Sequence, residues 1–191
     1  MIRAFIAIEI DHSALRQIFA AVDELSQRIS GIRWTPPTNC HLTLKFLGDI
    51  DEKQIEPIGQ VLERDLDLFP RFTINAKGLG VFPDAKRPRV LWVGIEGNPL
   101  AALAEKVEKA LASLGFAQEQ RKFTPHLTIG RWRQFKRTDK DLTDALAKWQ
   151  ERDFNGSTVH EVVLFQSILS PSGAQYRRLK AVRLCDASSI A

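Results

Sequence analysis

The chain has 191 residues and a formal net charge of +4 at pH 7; 44% of the residues are hydrophobic and 26% are charged. This length fits one domain or two small lobes that share a core, and this composition is typical of a globular protein. No segment approaches the roughly 20 apolar residues that a membrane-spanning helix needs, so we expect no membrane association.

The first half of the chain alternates strand and helix patterns. Residues 2–9 alternate like a buried strand and lack a small-residue cleavage site, so we expect no signal peptide. Residues 12–30 carry apolar side chains at helical spacing, and Pro36-Pro37 breaks the chain after them. Asp51 and Gln54 predict a capping box at the start of the next helix, because each side chain can bond the backbone of the other.

The second half continues the alternation and ends in a hairpin. The pattern predicts a strand from Phe72 to Gly78–Gly80, a strand over 90–95, a helix from Asn98-Pro99 to Gly115, a helix near 139–151, and strands near 158–168 and 176–184. Ser170-Pro171-Ser172-Gly173 forms the turn between the last two strands.

One short phrase occurs twice in strand-like context, as His41-Leu42-Thr43-Leu44 and as His126-Leu127-Thr128-Ile129. In a strand, the histidine and the threonine of each copy project to the same face, while the residues between them point into a core. The copies are separated by nearly half the chain length, which favours an internal duplication. We therefore expect one domain over residues 1–191 with an α+β, bilobal fold. It would consist of two pseudo-symmetric, intertwined lobes of antiparallel sheet, with helices packed outside. Each lobe would contribute one His-x-Thr strand to a central cleft between them.

Two imidazoles with adjacent hydroxyls suit general acid–base chemistry on an anion. Imidazole titrates near pH ~6.5, so one neutral and one protonated copy can coexist. A metal site fits less well, because threonine is a poor ligand and no close His pair exists. Cys40 faces away from His41, and the only other cysteine, Cys185, makes no C-x-x-C pair with it; this favours a reducing, cytoplasmic setting. His12 and His160 are expected to be structural.

Basic residues are concentrated near the second motif. Seven of them, against one acid, lie between Arg121 and Lys140, and a further cluster is Lys86-Arg87-Pro88-Arg89. Such runs are commonly solvated surface. Because this run adjoins His126, a polyanion such as a nucleic acid is the favoured partner.

Strand alternation also predicts the surroundings of the motifs. Lys45 borders the cleft, Phe46 lies in the core, and Gly130 leaves room for a substrate on the motif face. Arg131 falls on the opposite face, unless a strand end or a bulge turns it toward a bound phosphate. Tyr176 and Trp132 are candidates for stacking on a base.

These motifs and their flanks resemble the two-histidine (2H) phosphoesterases, and among them the RNA 2',3'-cyclic phosphodiesterases, historically called 2'-5' RNA ligases. The resemblance covers nearly the whole chain. It rests on Arg3–Ile8, Arg33–Gly48, Gly80–Pro83, Arg87–Trp92, Phe123–Arg131 and Ser167–Tyr176. Cys40 and Gly130 depart from the usual residues of that family without touching the motif His or Thr.

The resemblance implies hydrolysis of a terminal RNA 2',3'-cyclic phosphate to a 2'-phosphate, without metal or nucleotide cofactor. It implies that His41 is the proton donor and His126 the proton acceptor; the residues alone are equally compatible with the reverse order. Thr43, Thr128 and Arg131 would bind the phosphate. Reversal with an RNA 5'-hydroxyl in place of water would join RNA ends without ATP.

Two alternatives share this pattern. One is a phosphodiesterase that acts on 2'-5' oligonucleotides or small cyclic nucleotides, and the other is a non-catalytic RNA-binding module. The intact histidines and threonines favour an enzyme over a binding module. Nothing in the sequence demands more than a monomer.

Overall fold

The computed structural model describes residues 1–133, 140–171 and 173–186, which form two antiparallel sheets with helices packed against them. The strands are β1 (Ile2–Glu9), β2 (Ile32–Trp34), β3 (His41–Ile50), β4 (Phe72–Phe82), β5 (Val90–Glu96), β6 (His126–Trp132), β7 (Asp153–Val159), β8 (Glu161–Ser170) and β9 (Gly173–Arg183). The helices are α1 (His12–Ser26), α2 (Ile55–Leu66), α3 (Leu100–Ala112) and α4 (Lys140–Lys148). A search of the described residues finds no helix that is long and apolar enough to cross a membrane.

Each half of the chain contributes strands to both sheets. Sheet A has the strand order β3-β1-β8-β9, and sheet B has the order β2-β6-β5-β4-β7. The unit β1-α1-β3 of sheet A corresponds to the unit β5-α3-β6 of sheet B, with a motif strand last in both. The predicted α+β fold with two pseudo-symmetric lobes is therefore confirmed.

The helices cover only one face of each sheet. Helices α2 and α3 pack on sheet A through β9 and β3, while α1 and α4 pack on sheet B through β7 and β4. The large core between sheets and helices contains the apolar residues that alternate with the motif side chains, Leu42, Leu127 and Ile129 among them. A separate small cluster of Phe5, Ala7, Val163 and Phe165 lies elsewhere on sheet A. We call the face with this cluster the motif face of sheet A, because Ala7 pairs with Thr43 there.

The predicted elements agree with the structure except at edges and ends. Asp51 and Gln54 form the expected capping box, which precedes α2. The first helix ends at Ser26 rather than near residue 30, and Asp139, at the expected start of the fourth helix, lies outside the described residues. Strands β2 and β7 were not predicted, and both form at the edges of sheet B. Strand β2 has only three residues and pairs with β6. Strand β7 has a polar sequence that contains glycine and pairs with β4.

A β-bulge in β3 changes the direction of the side chains after the first motif. Ala7 pairs with Thr43 and Ile6 with Lys45, so Leu44 is an extra residue in β3. Consequently Leu44 and Lys45 are both buried. Phe46 is 71% exposed and lies on the motif face, beside its pairing partner Phe5. The predictions that Phe46 is a core residue and that Lys45 borders the cleft were wrong for this reason.

Lys45 instead links β3 to the segment that leads into the second motif. The residue is 6% exposed, and its Nζ lies 2.5 Å from Glu108 Oε2 on α3 and 2.8 Å from the carbonyl oxygen of Ala117. Glu108 also accepts a hydrogen bond from the backbone N–H of Glu119 at 3.3 Å. This buried ion pair therefore connects β3 to α3, and the bonds of Ala117 and Glu119 extend the connection to the segment that precedes β6.

We expect Glu108→Ala to destabilise the protein by about 3 kcal/mol, because it leaves the Lys45 ammonium buried without its counter-charge. The double variant Lys45→Met/Glu108→Leu should recover most of that loss, since it removes both charges. Urea unfolding at neutral pH measures both effects. A Glu108→Ala protein as stable as the wild type would contradict the assigned ion pair.

Candidate active site

The structure places both motifs on strands with the side-chain directions that the sequence predicts. His41 and Thr43 are half-buried on β3, and Leu42 between them is fully buried. His126 and Thr128 are half-buried on β6, with Leu127 fully buried between them. Each strand thus presents an imidazole and a hydroxyl on the face that the helices leave uncovered.

A bulge at the same point of β6 brings Arg131 onto the motif face. Trp92 pairs with Thr128 and Leu91 with Gly130, so Ile129 is the extra residue in β6, as Leu44 is in β3. Gly130 is buried and Arg131 is exposed as a result. Strand alternation alone predicts the opposite orientation for Arg131, and the bulge restores it to the face of His126.

The bulge also overturns two predictions about the neighbours of Arg131. Gly130 does not face the substrate side; a Cβ there would lie 2.5 Å from Ile32 Cγ2, so glycine permits the close approach of β2. Trp132 is only 7% exposed and packs into the core, so it cannot stack on a base. Tyr176 remains half-exposed on the motif face of sheet A.

His126 is oriented by a backbone hydrogen bond and by two aromatic rings. Its Nδ1 lies 2.7 Å from the carbonyl oxygen of Thr124. Because a carbonyl can only accept, Nδ1 carries the proton and Nε2 has the free lone pair in the neutral ring. Phe82 packs edge-on at 4.9 Å between ring centroids, and Trp92 lies at 6.3 Å.

His41 has an equivalent arrangement in sheet A. It forms a hydrogen bond with the backbone of Asn39, two residues earlier, as His126 does with Thr124. Phe5 stacks on the imidazole at 4.7 Å, and Tyr176 contacts it edge-on at 4.9 Å. Both imidazoles are thus held in one orientation by a backbone bond and aromatic packing.

Burial favours the neutral form of both rings. It lowers the pKa of His41 to about 4, although the Asn39 hydrogen bond opposes the shift. Burial also lowers the pKa of His126; the Thr124 hydrogen bond opposes this shift, and the positive charge of Arg131 adds to it. Near pH 7 each histidine of the unliganded protein can therefore accept a proton.

The motif faces of the two sheets lie close together, and we call the space between them the cleft. Strands β3 and β6 contact each other. Burial raises the pKa of the Tyr176 hydroxyl in sheet A, and the positive charge of Arg131 in sheet B opposes this shift. The two side chains are therefore close enough to interact across the cleft. Since Tyr176 contacts His41 and Arg131 affects His126, the structure brings both motifs and Arg131 to one site.

Other candidate groups take no part in this site. Cys40 is buried, and burial raises the pKa of its thiol to about 12, which prevents activation as a nucleophile. His12, the first residue of α1, and His160, between β7 and β8, are exposed and belong to neither motif strand. Within residues 1–133, 140–171 and 173–186, no three His, Cys, Asp or Glu side chains cluster as metal ligands would.

Sequence reasoning missed the aromatic supports of the histidines. Trp92 lies against Gly80 of β4, where a Cβ would come within 2.1 Å of its ring. A glycine opposite a tryptophan in neighbouring strands is a signal of such close packing. The contact of Tyr176 with His41 had no signal in the sequence, because it depends on how β9 pairs with β8 and β8 with β1.

Comparison with known proteins gives matches over most of the chain. A family model described as LigT-like phosphoesterase matches residues 8–92 and again residues 93–176, in agreement with the expected duplication. An RNA 2',3'-cyclic phosphodiesterase from Aquifex aeolicus is 39% identical, over 92% of this chain and 94% of its own. A protein of the same name from Archaeoglobus fulgidus is 35% identical, over 93% of this chain and 98% of its own.

Solved structures share the fold. A Thermus thermophilus protein aligns with a TM-score of 0.81 and 23% identity, over 97% of this chain and 99% of its own. Escherichia coli LigT complexed with 3'-AMP aligns with a TM-score of 0.77 and 24% identity, over 97% of this chain and 99% of its own.

We expect Gly80→Ala to displace Trp92 and to raise the pKa of His126 toward about 6.5, because the displaced ring would expose the imidazole to water. An NMR titration of the histidine rings measures this shift. Gly59→Ala on α2 is the matched control, since the three atoms nearest to its methyl belong to the flexible side chain of Lys180. If His126 titrates identically in Gly80→Ala and wild type, Trp92 does not shield it.

Proposed function

Because the chain belongs to the family of LigT-like phosphoesterases, which are 2H phosphoesterases, we propose that it hydrolyses terminal RNA 2',3'-cyclic phosphodiesters to 2'-phosphomonoesters. The observation that carries the proposal is the matched pair of bulged strands, each with a backbone-oriented histidine and a threonine on the cleft. The names of relatives that align over nearly their full length support this substrate.

In the proposed reaction, His126 is the general base and His41 the general acid. Nε2 of His126 takes a proton from water as the water oxygen bonds to phosphorus. The bond from phosphorus to the 3'-oxygen breaks, and His41 protonates that oxygen. The hydroxyls of Thr43 and Thr128 donate to the non-bridging oxygens, and Arg131 offsets their negative charge; such preorganised donors are worth a few kcal/mol, on the order of 3 each.

Electrostatics supports this order of acid and base. Arg131 lies on the face of His126 and helps to keep that ring neutral, as a base requires. His41 has no cation among the causes of its lowered pKa. The anionic phosphate can therefore raise the pKa of His41, and the proton needed by the acid is taken up together with the substrate.

The two residues that follow the bulges support the same order. Phe46 and Arg131 occupy equivalent positions, five residues after each histidine, and both are exposed. An aromatic ring suits a base, whereas a guanidinium suits a phosphate. A base stacked on Phe46 would leave the 3'-oxygen within reach of His41, with the attacking water toward His126.

Ligation of RNA ends would use the same groups. If an RNA 5'-hydroxyl replaces water after the ring has bound, its attack on phosphorus would form a 2'-5' bond as the 3'-oxygen is released. The energy for this bond comes from the strained ring, so no ATP is required. Water competes at high concentration, which makes hydrolysis the main outcome.

We expect His41→Ala and His126→Ala each to lower the hydrolysis rate by about 10²–10⁴-fold, since each removes one proton-transfer group. The assay uses a short RNA with a 2',3'-cyclic phosphate in the presence of EDTA, and detects the 2'-phosphate product. His160→Ala is the matched control because that residue is exposed and belongs to neither motif strand. Full activity of either motif variant would refute the paired mechanism, and binding of RNA without hydrolysis by the wild type would favour a binding module.

The lowered histidine pKa values predict an acid-shifted pH profile. The reactive free enzyme holds one proton between two rings whose pKa values lie below about 6.5, so kcat/KM should be greatest below that pH. Above the higher pKa the required proton is lost, and kcat/KM should fall about tenfold per pH unit. The alkaline limb of kcat should lie at higher pH, because bound phosphate stabilises the imidazolium of His41. A kcat/KM that rises through pH 8.5 would contradict this assignment.

A further inference from the structure

Exposed cations gather at one end of sheet B, beyond the second motif. Strand β6 ends there, β2 begins there, and the β4–β5 turn lies beside them, since Arg131 pairs with both Arg33 and Val90. The backbone N–H of Trp132 also donates to the carbonyl oxygen of Arg89 at 3.0 Å. We call this region the basic end; its six exposed cations are Arg33, Lys86, Arg87, Arg89, Arg131 and Arg133.

The turn that carries three of these cations is held in a defined shape. Asp84 Oδ1 accepts hydrogen bonds from the backbone N–H groups of Lys86 and Arg87 at 2.8 and 3.0 Å. The N–H of Arg89 donates to the carbonyl oxygen of Phe82 at 2.7 Å. The single carboxylate of segment 82–90 is thus used to shape the turn, and the segment keeps a net positive charge.

Two of the cations face each other directly. Arg33 and Arg131 are opposite residues of β2 and β6. Like charges at such positions destabilise a sheet by about 0.2–1 kcal/mol. The guanidinium of Arg33 also lies against Gly173 of the β8–β9 hairpin, where a Cβ would be 2.5 Å from Nη2. Bound phosphate groups would neutralise this concentration of charge.

The basic end is longer than a single phosphate. At a rise of about 3.3 Å per residue, the extended chain from Thr128 to Arg133, just past the end of β6, spans up to about 17 Å. A terminal cyclic phosphate at the motifs can reach Arg131, but it cannot also reach Arg133 and the β4–β5 turn. Only an anion with successive charged groups, such as an RNA chain, can contact the whole region.

We propose that the basic end binds the phosphates of the nucleotides that precede the reacting end of the RNA. This rests on the proposed function, and it makes the preferred substrate an oligonucleotide rather than a mononucleotide or dinucleotide. Lys136 and Arg137, which belong to the same basic run of the sequence, lie outside the described residues. Three phosphate contacts predict that log affinity for single-stranded RNA falls with log salt concentration with a slope of about −2.

The test compares two substrates that end in the same cyclic phosphate, a dinucleotide and a 12-nucleotide RNA. In the wild type, kcat/KM should be at least tenfold higher for the longer RNA at low salt, and this preference should decline as salt is added. In Lys86→Gln/Arg87→Gln/Arg89→Gln, the ratio between the two substrates should fall at least threefold, and the salt slope should be shallower. Equal ratios and slopes in wild type and variant would overturn the inference.

A control variant and a binding assay separate the two proposals. Arg64→Gln/Lys106→Gln/Lys109→Gln removes the same charge from the surface between α2 and α3, and should keep the wild-type length preference. Fluorescence anisotropy with a labelled 12-nucleotide RNA ending in a 2'-phosphate measures binding without hydrolysis. Binding that weakens only in Lys86→Gln/Arg87→Gln/Arg89→Gln supports the inference, whether or not the cyclic substrates are hydrolysed. A failure of the wild type to hydrolyse either substrate would refute only the proposed function. Equal binding by both variants overturns the inference.

Discussion

The β-bulge three residues after each motif histidine is the constraint on which the site depends. Without it, strict alternation would turn Arg131 and Phe46 into the core and would direct Lys45 and Gly130 toward the cleft. The extra residue reverses these directions in both strands. It also sends Lys45 inward to Glu108, which connects the first motif strand to the segment before the second. One local irregularity, repeated in both lobes, thus determines the chemistry on each side of the sheet.

The second constraint is the burial of the histidines among aromatic rings. Packing against Phe5 and Tyr176, or Phe82 and Trp92, restricts the imidazoles and removes water from them. The same burial lowers their pKa values, so the packing that orients the two rings also disfavours their protonated forms. In the proposed mechanism the substrate phosphate supplies the missing counter-charge. The acid is then assembled only when there is a phosphate to act on.

The duplication is symmetric in its backbone and asymmetric in its side chains. Both lobes share the strand–helix–strand unit, the bulge and the hydrogen bond to the residue two positions before the histidine. They differ after the bulge, where one lobe has Phe46 and the other Arg131. Under the proposed function, this difference and the basic end of sheet B would separate a base-binding side from a phosphate-binding side. A symmetric scaffold would in this way bind an RNA end in one direction.

The sequence by itself determined the main outline of this protein. The repeated His-x-Thr phrase, its period of two and its separation indicated both the duplicated α+β fold and the four central side chains, because alternation in a strand is a local property. The capping box of Asp51 and Gln54 was equally local. Only the tertiary structure decided the directions of Lys45, Phe46, Gly130 and Arg131, the burial of Trp132 and the pairing of β7. The reason is that a bulge exists only relative to a partner strand, and which residue it displaces depends on the register between residues far apart in the chain.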